Sequence, residues 1–205
     1  MAKHYEQHCP VAHALELVGE RWSLLIVREL LKGPKRYTDL AEALPRIGTN
    51  VLATRLKDLE AYGVVARRRL PPPAAAQVYE LTPYGAALKP VVRELTLWGL
   101  RSLPAPQDDD LVAPGWLRGA LDVVFAPVAP DGAFELRIGD EVASLVDGRA
   151  FAGPAEHPDV VLETSRAGLY HLFLERRWDG VAVEGDRDLL EQLLDAAAPV
   201  SAVAA

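Results

Sequence analysis

The chain has a single cysteine, Cys9, among its 205 residues. One thiol excludes an internal disulfide framework and any zinc finger built from several cysteines. No apolar run approaches the roughly 18 residues that a membrane helix needs. The first ten residues, Met1 to Pro10, lack the apolar stretch of a secretion signal. Gly-x-Ser-x-Gly, a Walker loop and Gly-x-Gly-x-x-Gly are all missing. The acids Glu135, Glu163 and Glu175 have no evident partner at catalytic spacing, and His171 reads best as a satisfied core histidine. These absences predict a cytoplasmic protein that is not an enzyme, holds no cofactor or metal and avoids the membrane.

What is present can build a core. Half the residues are hydrophobic and a quarter charged, which suits one large domain or two small ones. The net charge of −7 hides an asymmetry. Residues 1–103 carry 15 Lys and Arg against 10 Asp and Glu, and residues 104–205 carry 7 against 19, so the halves stand at +5 and −12. A basic half can meet a polyanion that an acidic half repels. Between them, Pro104, Pro106 and Asp108 to Asp110 read as an exposed linker. The expected division is therefore 1–103, a linker over 104–110, and 111–205. The Ala-rich end from Ala196 is expected to fray.

The first half reads as mostly helical. Pro10 opens a helix carrying Val11, Ala14, Leu15 and Val18. A second follows through Trp22, Leu25, Ile26, Glu29 and Leu30 and stops at Gly33-Pro34. Thr38 is expected to cap a short third helix with Leu40, Ala41 and Leu44 inward. After a tight turn at Arg46-Ile47-Gly48, Thr49 is expected to cap a fourth, with Leu52, Leu56 and Leu59 on one face and ending at Gly63. The period then changes. Residues 64–70 and 78–82 read as two strands around a proline-rich tip, and Thr82-Pro83 starts a helix carrying Leu88, Val91, Val92, Leu95 and Trp98.

Helix, short helix, turn, helix, basic hairpin, helix is the winged helix-turn-helix order. The fourth helix turns Asn50, Thr54, Lys57 and Ala61 away from its leucines, with Arg55 on the flank. Small polar side chains suit base edges, and long cations suit phosphates. Double-stranded DNA is thus the expected partner, met by Thr38, Arg46, Thr49, Asn50, Thr54, Arg55, Lys57, Arg67, Arg68, Arg69 and Gln77. The plain alternative for Arg67 to Arg69 is a solvated hairpin face.

Cys9-Pro10-Val11, Gly19-Glu20-Arg21-Trp22, Gly33-Pro34-Lys35-Arg36-Tyr37, Leu56-Lys57-Asp58-Leu59-Glu60 and Leu81-Thr82-Pro83-Tyr84-Gly85 resemble the HxlR-type (DUF24) bacterial regulators. The resemblance covers about the first hundred residues. It implies a dimeric winged-helix DNA-binding repressor or activator, with the dimer built from terminal helices. It also suggests Cys9 as a redox or electrophile sensor, at a helix start where backbone N–H groups favour an anionic sulfur. The competing reading is a small packed side chain. His4, His8 and His13 cluster with Cys9, yet solvated histidines remain the simpler account and no metal is assigned.

The second half extends beyond that family. A helix with Trp116, Leu117, Leu121, Val124 and Phe125 precedes alternating strands at 134–138, 142–146 and 160–164, with turn signals at Gly139-Asp140 and Asp147-Gly148. Ser165 can cap a helix with Leu169, Leu172 and Phe173, and Val183 to Asp186 enters an amphipathic helix. Asp159 to Thr164 and Val183 to Asp186 resemble the sterol-carrier-protein-2-like (SCP2-like) fold. That implies an antiparallel sheet whose helices cover an apolar tunnel, and hence an α+β chain overall. Trp116, Phe134, Leu169, Phe173 and Trp178 are the expected lining for a small hydrophobic ligand. Core packing is the rival account of each. The leading expectation is a ligand-responsive regulator binding a palindromic operator as a homodimer. Its rival is a carrier or enzyme for a lipid-like molecule, with the winged helix used for protein contacts.

Overall fold

Leu52, Leu56 and Leu59 are at most 1% exposed, and the first half of the chain is assembled around them. The computed structural model describes residues 5–71, 75–107 and 110–197. The chain folds as two units, Met1–Val92 and Arg93–Ala205.

In the first unit α1 (Pro10–Val18), α2 (Ser23–Leu31), α3 (Tyr37–Ala43) and α4 (Thr49–Ala61) precede β1 (Val65–Arg69) and β2 (Gln77–Leu81). Then come α5 (Pro83–Ala86) and the start of α6 (Lys89–Leu100). Proline opens α1 and α5, where its missing N–H is no loss. The Thr82 hydroxyl caps α5, accepting from the Gly85 N–H at 3.0 Å and donating to the Gly63 carbonyl at 2.6 Å. Ile26, Val27 and Leu30 of α2, Leu40 and Leu44 at α3, and Val64 and Val65 close the core around α4. The hairpin is antiparallel, with Val65 opposite Leu81 and Arg69 opposite Gln77. Lys35 adds a bridge to Tyr79.

Three local expectations need correction. Thr38 lies inside α3, and the Asp39 carboxylate takes the capping role by accepting from the Arg36 N–H at 2.9 Å. Thr49 is the first residue of α4 rather than its cap, Gly48 standing before it. The single helix expected after Thr82 is two helices. Pro90 is the reason: it lacks an N–H and is tolerated only in a first turn, so a new helix begins at Lys89.

In the second unit Leu97 and Leu100 of α6 pack on the core. By packing, the two units part after Val92, within α6. Residues 103–107 form neither helix nor strand, and Asp108 and Asp109 lie outside the described residues. Next come α7 (Trp116–Ala120), running into a wider π-helical turn over Leu121–Phe125, then β3 (Ala133–Ile138), β4 (Glu141–Val146) and β5 (Arg149–Ala152). They are followed by β6 (Val160–Thr164), α8 (Arg166–Glu175), β7 (Ala182–Gly185) and α9 (Arg187–Ala196). The strand order is β5-β4-β3-β6-β7. Both hairpins use left-handed turn residues, Gly139 at φ 61 and Asp147 and Gly148 at φ 46 and 70, as the twist of paired strands demands.

The sheet is mixed, not antiparallel throughout as expected: β3 and β6 run parallel, with Phe134 opposite Val160 and Ile138 opposite Thr164. Because β5 already runs in the direction of β3, residues 153–159 must cross back before β6 can pair. Glu135 anchors that crossing. One carboxylate oxygen accepts from the Ala155 N–H at 2.9 Å, the other lies 2.7 Å from Arg137, and the residue is 2% exposed. Arg137 is thereby held above its usual range, first by its hydrogen bond to Glu135 and further by the charges of Glu163 and Glu184. On the opposite face Phe134, Leu136, Leu145 and Leu162 belong to a core with residues of α7, α8 and α9.

The α5 anchor of the wing is testable. A Cβ on Gly85 would collide with the Val64 carbonyl oxygen, so backbone must move to admit it. Gly85→Ala should destabilise the first unit by about 1–3 kcal/mol. Circular dichroism melting should show an earlier transition; an unchanged midpoint would contradict this packing.

Candidate nucleic-acid interface

The buried leucines of α4 fix what its other face offers. Thr49, Asn50, Thr54 and Lys57 are exposed, as are Thr38 on α3 and Arg46 in the turn before α4. The Thr54 hydroxyl donates to the Asn50 carbonyl at 2.8 Å, which keeps it against the helix. Arg46 holds a left-handed backbone at φ 73, the conformation that turns the chain from α3 into α4. Lys57 and Arg46 make no ion pair among the described residues.

The remaining arginines divide by their partners. Arg55 is engaged within the protein: its guanidinium lies 2.7 Å from Asp58 and 3.4 Å from Glu20. It is only 21% exposed and ties α4 to the segment before α2. Arg67 pairs with Glu60 of α4 at 2.8 Å and lies 5.5 Å from the centre of the Tyr79 ring. Arg68 binds both oxygens of Glu80 at 2.8–2.9 Å. Arg69 is exposed, without an ion pair among the described residues, and stands opposite exposed Gln77. Exposed pairs are worth about 0–1 kcal/mol, so a phosphate can displace Glu80 from Arg68. Arg55 and Arg67 also brace the helix, a role the sequence reading missed because Glu20 and Glu60 are brought to them by the fold.

Cys9 is half-buried at the N-cap of α1 and makes no side-chain cap. His13 sits 3.8 Å from Glu16, His8 is exposed, and His4 lies outside the described residues. Among the described residues no three His, Cys, Asp or Glu side chains converge as metal donors. The apolar stripes expected on α1 and α6 are partly used: Val18 and Val92 are buried, whereas Val11, Leu15, Val91, Leu95 and Trp98 are exposed. Trp98, at 69%, is the most exposed of these large apolar side chains.

The five expected ligand-lining residues have different surroundings among the described residues. Phe134 and Leu169 are core residues, because the central strand and the inner face of α8 turn them inward. Phe173 packs on Phe125 with ring centres 4.9 Å apart, and Arg187 covers Trp178 at 4.2 Å. Trp116 lines a cavity of about 460 Å³, whose other walls include Val112, Ile138, Asp140, Glu141 and Arg166. Sequence reasoning missed those residues; the Gly139-Asp140-Glu141 run was visible only as a turn. His171 lies 2.9 Å from Glu175, and that hydrogen bond, with Arg177 adding to it, holds the Glu175 carboxyl below the usual range.

The model of the HxlR-like helix-turn-helix family matches residues 17–107. The HTH-type transcriptional regulator YodB of Bacillus subtilis is 41% identical over 91 residues, which are 44% of this chain and 81% of that protein. YvaP of the same organism, also an HTH-type transcriptional regulator, is 40% identical over 91 residues, 44% of this chain and 84% of that one. The solved structure of quinone-bound YodB from B. subtilis is 38% identical with a TM-score of 0.39, covering 44% of this chain and 97% of that one. On this identity, spread over most of the length of these regulators, the chain belongs to the HxlR-like helix-turn-helix family.

Proposed function

We propose that the chain is a transcriptional regulator that binds duplex DNA as a homodimer and answers to a small effector held by its second unit. The observation that carries this is α4: one face fully buried, the other exposed and furnished with Thr49, Asn50, Thr54 and Lys57. In this reading α4 enters the major groove, Asn50 and Thr54 meet base edges, and Lys57, Arg46 and Arg69 meet phosphates. Thr38 and Gln77 border that surface, and Arg68 joins it by exchanging Glu80 for phosphate. The relatives are named as transcriptional regulators, which supports this reading over an enzyme. Among the described residues no helix is long and apolar enough to cross a membrane. A cytoplasmic regulator fits that.

Val91, Leu95 and Trp98 on α6 supply the dimer contact, because isolated large apolar side chains seldom line one exposed helix face by chance. A twofold dimer reads a palindromic operator, with half-sites about one helical turn or a multiple apart. The second unit is the sensor. Its helix-covered sheet supports the sterol-carrier-like relationship, and the −12 charge of residues 104–205 gives it no electrostatic part in holding DNA. Cys9 is a second input: its N-cap place and partial exposure suit a thiol that oxidants or electrophiles reach.

Fluorescence anisotropy against a duplex from the gene's own promoter region tests the DNA surface. Lys57→Ala and Arg69→Ala should each flatten the salt dependence by about one ion per protomer and leave the melting temperature unchanged. Arg55→Ala should weaken binding while also lowering the melting temperature, since Glu20 and Asp58 lose their shared partner. Equal salt slopes in wild type, Lys57→Ala and Arg69→Ala would refute the assignment.

Sedimentation at micromolar concentration should find a dimer, and Leu95→Glu with Trp98→Glu should give a monomer with sharply weaker operator binding. A wild-type monomer that binds tightly would contradict the dimer. Treatment with a quinone should alter operator affinity in wild type and not in Cys9→Ser; identical responses would exclude Cys9 as a sensor.

A further inference from the structure

We propose that the second unit binds a small aromatic cation in a cavity at the carboxyl ends of β3 and β6. Only the occupant's role as effector rests on the regulator reading above; its binding does not.

The site follows from the one parallel pairing in the sheet. Ile138 ends β3 opposite Thr164, the end of β6. From there the chains part: β3 folds back through Gly139-Asp140 into β4, and β6 leads through Ser165 into α8. Diverging exits from neighbouring parallel strands leave a crevice at their carboxyl ends. The cavity of about 460 Å³ lies there, within the roughly 300–1,000 Å³ of small-molecule sites. A second, more open cavity of about 600 Å³ shares Gly139 and Ser165 with it and adds Glu163.

The walls decide the class of occupant. Trp116, Val112 and Ile138 give an apolar, partly aromatic side for a planar ring. Asp140 and Glu141 line the same cavity, and Glu163 lines its neighbour. Among the described residues Arg166 is the single cation in either lining, and its guanidinium donates to the Asp110 carbonyl at 3.1 Å. The Ser165 hydroxyl is occupied in accepting from the Gly168 N–H at 2.9 Å. Three carboxylates against one engaged arginine, in a half of the chain at −12, repel an anion and attract a cation. An indole face favours a cation further. A long aliphatic lipid gains little from walls this polar.

The position also suits control. Pro106, Val112 and Pro114 belong to the segment that follows α6 and form part of the cavity wall. That segment is tied to α8 twice, by the Tyr170 hydroxyl donating to the Leu103 carbonyl at 2.9 Å and by Arg166. An occupant between Trp116 and the β3–β4 turn bears on the residues that continue from the helix assigned to the dimer.

Isothermal titration calorimetry of the full chain without DNA, using three naphthalenes of one size, tests this. The probes are 1-naphthylmethylamine as cation, 1-naphthalenemethanol as the neutral form and 1-naphthoate as anion. The amine should bind at least about tenfold more tightly than the alcohol, and the naphthoate most weakly. Asp140→Asn with Glu141→Gln, which changes charge at the surface with little change of shape, should bring the amine to the alcohol's affinity. Trp116→Ala should weaken both, and its melting curve shows whether the fold is kept. Naphthoate binding as tightly as the amine, an amine preference surviving the double substitution, or no binding of any probe up to about 1 mM would each overturn the proposal. Because DNA is absent, failure here is distinct from failure of the DNA surface, which the anisotropy series reads.

Discussion

Everything the first unit offers to a partner depends on the burial of three leucines. Leu52, Leu56 and Leu59 sit at one, two and three turns of α4 and leave almost no surface to water. Rotating the helix about its axis would expose them and bury Asn50, Thr54 or Lys57, each without a prepared partner. The polar face is therefore presented by the core, not by the polar residues themselves. Arg55 with Glu20 and Arg67 with Glu60 act on the same helix from two sides. A variant at any of these can impair DNA binding without touching DNA, and for that reason affinity and stability have to be measured together.

The second unit is organised by a different constraint, the return of the chain across its sheet. Once β3, β4 and β5 form two hairpins, β6 reaches the free edge of β3 only after the crossing of residues 153–159. The Glu135 carboxylate meets that crossing segment, and Arg137 balances its charge. Helices pack on the other face and fill it with Phe134, Leu136, Leu145 and Leu162. At the strand ends Trp116 and the acidic β3–β4 turn line an open cavity.

What could be read from the sequence was what local spacing encodes. Apolar residues at helical intervals marked α1, α2 and α4, and Pro10, Thr82 and Ser165 marked helix starts that the structure bears out. Gly139 and Asp147-Gly148 marked the hairpins, since left-handed turn positions have a narrow choice of residue. The parallel pairing of β3 and β6 was hidden, because alternation along a strand is the same whichever way its neighbour runs. The ion pairs of Arg55 and Arg67 were hidden for a related reason: Glu20 lies 35 residues from Arg55, and only the fold brings them within 3.4 Å. Phe134, Leu169 and Phe173 carry the same apolar signal whether they wall a cavity or pack a core, and they belong to or pack against the core of the second unit.

The central claim is that the exposed face of α4, with the end of the hairpin, is where this chain meets DNA. Amide hydrogen exchange of the full chain, alone and with a duplex from its own promoter region, tests it most directly. The account predicts slowed exchange in the first turn of α4, at residues 49–52, and at Arg69 and Gln77, with the sheet of the second unit unchanged. Protection confined to residues 110–197, with α4 and the hairpin unaffected, would contradict it.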